Sequence, residues 1–193
     1  MPTLAHHFRT CAYQNAWVNL RLLRACAQLD DREFGAPRTS FFPSLAATLN
    51  HLLTVDLYYV DALERTYAGS VPNPEARAFF EPAIPHPRCV ELAGAQRAVD
   101  LRLIAVCLTL DDAALQRRIE VPRRWGVQRE PATRLLAHLF QHQIHHRGQA
   151  HAMLAGTCVA PPQLDEFYCE GEAPLRAAEL AELGVSEQEI WGR

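Results

Sequence analysis

His142 and His146 stand four residues apart in the run His142-Gln143-Ile144-His145-His146-Arg147-Gly148-Gln149. On a helix this spacing puts both imidazoles on one face, one turn apart, where they can grip a single metal ion. The positions around them form an apolar stripe through Leu135, Leu139, Ala150 and Met153, so the two histidines occupy places that otherwise go to the core. A buried imidazole nitrogen without a partner costs roughly 1–3 kcal/mol, and something must satisfy it. Hydrogen bonds between core residues would serve. A metal is favoured, because helix bundles often build metal sites from facing helices. Position 143 is Gln, so the pair is not HExxH and lacks the glutamate base of a metalloprotease. His51, in Thr48-Leu49-Asn50-His51-Leu52-Leu53, is the candidate third ligand, with a solvated or capping histidine as the alternative. Two histidines from one helix and one from another leave a coordination position open, as in catalytic rather than closed structural sites. Asp56 is either a fallback carboxylate ligand, a group orienting an imidazole, or a surface acid paired with an arginine. His138 and His145 fall beside the stripe, and His6, His7, His86 and His151 read as surface residues.

Four long helices are needed to position these side chains. The first spans about Leu4 to Leu29, free of Pro and Gly, with Leu4, Phe8, Cys11, Ala16, Leu20, Leu23 and Ala27 at helical spacing. A connection from Phe34 to Phe42 follows. Pro43-Ser44 opens the second helix, which ends near Tyr67 at Gly69. Five prolines between Pro72 and Pro87 mark a long loop. The third helix runs from Cys89 to about Leu110 on the stripe Leu92, Gln96, Val99, Leu103, Val106 and Leu110, widened by Leu101 and Ile104. Ile119, Val121, Trp125 and Val127 flank a short Arg- and Gly-bearing turn and predict a hairpin. Pro131 opens the fourth helix, which stops at Gly156. Two short helices close the chain, about Pro174–Leu183 and Ser186–Trp191, the latter with the capping-box pair Ser186 and Glu189. The expectation is an all-α fold: one four-helix-bundle domain over 1–193, with a long crossover, a small β-hairpin before the fourth helix and short C-terminal helices.

Composition narrows the function. At 193 residues and 49% apolar content the chain can bury a core. No apolar run approaches the roughly 20 residues that span a bilayer, and the N-terminus lacks the pattern of a signal peptide, so the expected location is the cytoplasm. Six scattered cysteines without a CxxC pair read as free thiols in a reducing compartment. The net charge of -3 argues against nucleic acid. All 19 basic residues are arginine, which excludes Schiff-base chemistry and a P-loop lysine. Arg117, Arg118, Arg123, Arg124 and Arg129 cluster at the hairpin, where they could attract an anion or simply be solvated.

The motifs resemble those of the DinB/YfiT-like family. The carrying pieces are Trp17-Val18-Asn19 and Arg21-Leu22-Leu23, Ser44-Leu45 with Thr48 to Leu53, Asp100-Leu101-Arg102-Leu103, the stretch from Leu136 to Gln149, and Pro161-Pro162-Gln163-Leu164-Asp165. The resemblance runs from about residue 11 to 165 and leaves out the loop 70–88 and the extension 166–193. It implies an up-down-down-up bundle, a divalent metal on His51, His142 and His146, and a homodimer. Gln141 stands where the family usually has Asn, a departure that touches packing more than ligation. The ion would be a divalent transition metal, zinc or nickel foremost. The implied chemistry is activation of a thiol or water at the three-His site, with transfer of the thiol to a small electrophile and Arg147 or a hairpin arginine holding a substrate carboxylate. The alternative is a non-catalytic stress-response protein in which the ion stabilises the bundle.

Overall fold

The computed structural model describes residues 3–192. Among them the chain forms four long helices, α1 (Leu4–Cys26), α3 (Leu45–Ala68), α4 (Cys89–Thr109) and α5 (Ala132–Ala155). It also forms three short helices, α2 (Asp31–Gly35), α6 (Ala173–Leu183) and α7 (Glu187–Trp191). A two-stranded antiparallel hairpin, β1 (Arg118–Arg123) and β2 (Gly126–Pro131), runs directly into α5. The fold is therefore mostly helical with one small hairpin, as expected. The short α2, inside the predicted Phe34–Phe42 connection and the residues before it, was not expected from periodicity; Asp30 nucleates it by accepting the Glu33 N–H at 2.7 Å. No helix among the described residues is long and apolar enough to cross a membrane.

Helix ends follow local chemistry. The Ser44 hydroxyl accepts the Ala47 N–H at 3.1 Å and starts α3. Gly69 ends it at φ 71°, a left-handed conformation that glycine adopts without a Cβ clash. The Ser186–Glu189 capping box forms at α7.

Side-chain contacts set the directions of the long helices. The Cys89 thiol at the start of α4 donates to the Leu23 carbonyl near the end of α1 at 3.5 Å. Asp112, just past α4, accepts the Ala5 N–H at the start of α1 at 2.9 Å. These two helices are antiparallel. Gln96 bonds Asp56 and Arg102 pairs with Glu64, so α3 and α4 run parallel. His51 meets His142 while Tyr59 meets His138, so α3 and α5 are antiparallel. Phe8 stacks on Phe140, and Arg147 reaches Asn15 and Asn19, so α1 and α5 are parallel.

The core is continuous from Ala5 to Ile190. The α4 stripe is buried as expected, except that Leu101 is 43% exposed. The buried face of α1 is wider than the expected one: Phe8, Ala16 and Leu23 are buried as expected, Leu4 is 46% exposed, and Ala5, Ala12, Tyr13, Trp17 and Leu22 point inward as well. Apolar spacing alone understated that face, because Asn15 and Asn19 also lie inside. The C-terminal segment docks on α1 through Arg21, which stacks 4.3 Å above Trp17 and bonds Glu166 and Glu179.

Candidate metal site

His51 on α3 and His142 and His146 on α5 come together, each offering a ring nitrogen within 4.8 Å of the others. The ring centroids are 4.5 to 5.0 Å apart. His51 Nε2 and His142 Nε2 stand 3.0 Å apart. The side chains reach this point because α3 and α5 pack with opposite directions, and because the i, i+4 spacing on α5 stacks two rings on the side facing α3. His146 is buried, while His51 and His142 are half-buried.

His146 Nδ1 lies 2.7 Å from Gln149 Oε1. With the amide oxygen as acceptor, the ring carries its proton on Nδ1 and leaves Nε2 as a lone-pair donor. His142 Nδ1 is buried without a hydrogen-bond partner. All three rings are held neutral. Burial, then the neighbouring His146, pushes His51 down to about 4. Burial, followed by the His146 and His51 charges, pushes His142 to about 3. Burial lowers His146 too, against the raising effect of Gln149. Three neutral imidazoles are the donor set that a divalent borderline ion takes. Metal–nitrogen bonds of about 2.0–2.1 Å in a tetrahedral site put nitrogens roughly 3.3 Å apart. The 3.0 Å pair and the 4.8 Å outer limit bracket that value.

The cluster has an aromatic cover that sequence spacing did not indicate. Phe42, two residues before the Ser44 cap, lies 4.4 Å from the His51 ring and 5.4 Å from His146. Phe41 packs edge-on against Phe42 and is itself 77% exposed. His138 and His145, both exposed, flank the cluster: His138 sits 6.1 Å from His142 and His145 4.8 Å from His146. Of the four remaining histidines only His7 is fully exposed; His151 reaches the Pro162 carbonyl at 3.0 Å.

Two expectations are corrected. Asp56 is neither a ligand nor a surface acid: it is 1% exposed, and its Oδ2 accepts from Gln96 Nε2 at 2.8 Å. Arg147 cannot clamp a substrate, because it is 3% exposed and spends its Nη1 on Asn15, Asn19 and Gln143. Both belong to a buried polar layer that joins all four long helices. Asn15 and Asn19 donate to Asp100 at 3.0–3.2 Å, and Gln96 bridges Asp56 and Asp100. Burial raises Asp56 to about 6 and, with the Asp56 charge added, Asp100 to about 7. The sequence signal for this layer was available: Gln96 falls inside the apolar stripe of α4, and Gln143 and Arg147 share a second line of α5 with Leu136, Phe140 and Leu154.

A sequence model of the DinB family matches residues 1–178, a longer stretch than the motifs span, reaching into α6. The chain belongs to the DinB family. No curated protein matches it.

Proposed function

We propose that His51, His142 and His146 hold one divalent transition ion, zinc or nickel, and that the protein is a metal-dependent enzyme acting through a thiol or water. The carrying observation is the convergence of three neutral imidazoles from two helices within 4.8 Å. When bound, such an ion lowers the pKa of a coordinated thiol or water, making a nucleophile near pH 7. The chain's own residues do the rest. Gln149 keeps the His146 proton on Nδ1, and Phe41 and Phe42 shield one side of the cluster from water. Three protein ligands leave room for a small molecule, in keeping with transfer of a thiol to an electrophile.

The test is elemental analysis of untagged protein, wild type and His146→Ala. About one equivalent of transition metal in the wild type, absent from the variant, is expected. No metal in either, even after reconstitution, would make the histidines hydrogen-bonded core residues. Turnover is tested by offering the loaded protein glutathione and other thiols with a panel of electrophiles. A second reading, a non-catalytic stress-response protein, is favoured by the placement of the three histidines on both α3 and α5, so that an ion held there would tie two helices together. It predicts a large fall in Tm on chelation, with no turnover of any substrate.

The helix directions support reading the four long helices as an up-down-down-up bundle, and the continuous core supports one domain. Free cysteines support a cytoplasmic location. The net charge of -3 speaks against a nucleic-acid partner. A homodimer is supported by α4, whose residues Gly94, Ala98, Leu101, Ala105 and Leu108 are all exposed at 4-3-4-3 spacing.

A further inference from the structure

Five arginines surround the hairpin, and the structure separates them. Arg117 stacks over Tyr67, Arg118 donates to the Arg129 carbonyl, and Arg129 pairs with Glu120 at 2.7 Å. Arg123 and Arg124 instead line a cavity of about 470 Å³ between β1 and the 3₁₀ turn Ala76–Phe80, where Arg77 joins them. Among the described residues, neither Arg77 nor Arg124 makes a hydrogen bond or ion pair. Arg123 is half-buried, and its hydrogen bonds go only to neutral partners. Its Nε donates to Gln128, Nη1 to the Tyr58 hydroxyl and Nη2 to the Tyr59 hydroxyl, at 2.8, 3.2 and 3.3 Å. A guanidinium has five N–H groups, so one remains on each Nη. The Tyr58 and Tyr59 rings, 5.6 and 5.7 Å from the guanidinium carbon, hold it in place. The remaining walls are apolar, with Phe80, Pro74 and Pro122, and Glu81 is the single acid.

We propose that this cavity binds a small organic acid, its anionic head on Arg77, Arg123 and Arg124 and its apolar body against Phe80, Pro74 and Pro122. Three guanidinium groups against one carboxylate leave an excess of positive charge beside an apolar wall, which suits a charge-assisted, forked contact with carboxylate or phosphate. The cavity lies at the hairpin end of the helices that carry the histidines: Tyr59 stands 5.7 Å from the His138 ring, and His138 6.1 Å from His142. Anion binding here does not depend on the metal reading.

The test is calorimetric titration of the full chain, metal-free and zinc-loaded, with 3-phenylpropionate, phenyl phosphate and the neutral 3-phenylpropionamide. Saturable binding of at least one acid in both forms is expected, weakening as salt rises. The amide should bind at least about tenfold more weakly, a difference of about 1.4 kcal/mol. The Arg77→Gln/Arg124→Gln double variant alters two exposed residues without structural bonds and should weaken the acid about tenfold or more. Glu81→Gln should tighten it. The preferred acid identifies the head group. No saturable binding, equal binding of the amide, or wild-type affinity in the double variant would each overturn the proposal. Metal content plays no part in these outcomes, so failure here and failure of the three-His reading are told apart.

Discussion

The proton balance of three imidazoles sets how the site responds to pH. His51 and His142 are held down to about 4 and about 3 in the folded chain, against an ordinary value of 6.5. Between those values the unfolded chain binds more protons. The stability these residues contribute is therefore complete above 6.5 and is lost as pH falls through the folded values. Asp56 and Asp100 act in the opposite sense, because raised carboxyls take up protons in the folded state first. The histidine part is isolated by comparison. The urea midpoint of metal-free wild type should fall relative to that of His142→Gln between about pH 6.5 and pH 4. Parallel midpoints across that range would show that His142 does not resist protonation.

Helices acquire their register from the polar layer as well as from apolar packing. Hydrophobic stripes slide and rotate at low cost, whereas Arg147 on α5 has carbonyl acceptors on α1 at fixed positions, Asn15 and Asn19. Those amides then donate to Asp100 on α4, and Gln96 carries the chain to Asp56 on α3. Arg147 and Gln143 are direct neighbours of His146 and His142, so the layer also fixes which face α5 turns towards α3. Arg147→Ala would strand several carbonyls and leave the two carboxyls without a nearby cation. The expected loss is about 2–5 kcal/mol in denaturant unfolding, since each buried acceptor left without its donor costs about 1–3 kcal/mol. Adding Asp100→Asn should recover part of it. An Arg147→Ala loss below about 1 kcal/mol would show that the layer contributes little.

The exposed α4 face bears on the assembly of the whole molecule. Leu101 and Leu108 are 43% and 46% exposed, with Gly94, Ala98 and Ala105 between and beside them. A stripe of that width and spacing can pack against its own copy about a two-fold axis. Light scattering should give twice the chain mass for wild type and the monomer mass for Leu101→Glu, with unchanged helix content. A monomeric wild type would remove the dimer.

Much of this molecule was legible before its tertiary structure. The four long helices, the hairpin and the Ser186–Glu189 capping box follow from local chemistry: apolar period, a serine three residues before a glutamate, proline at helix starts and glycine at their ends. The pairing of His142 with His146 is a property of one helix, so spacing sufficed to state it. Long-range features were decided differently. That His51 reaches the other two depends on how α3 and α5 cross, and an isolated helix carries no such information. Asp56 and Arg147 look like surface charges by residue type, and only the packing of four helices around them makes a buried network. The same holds for Phe42 over the histidines and for Arg77, which joins the hairpin arginines from 46 residues away from Arg123 in the chain. Local hydrogen bonds and periodicity act within a few residues and are written along the chain. Burial and charge compensation are collective, and exist only once the helices have met.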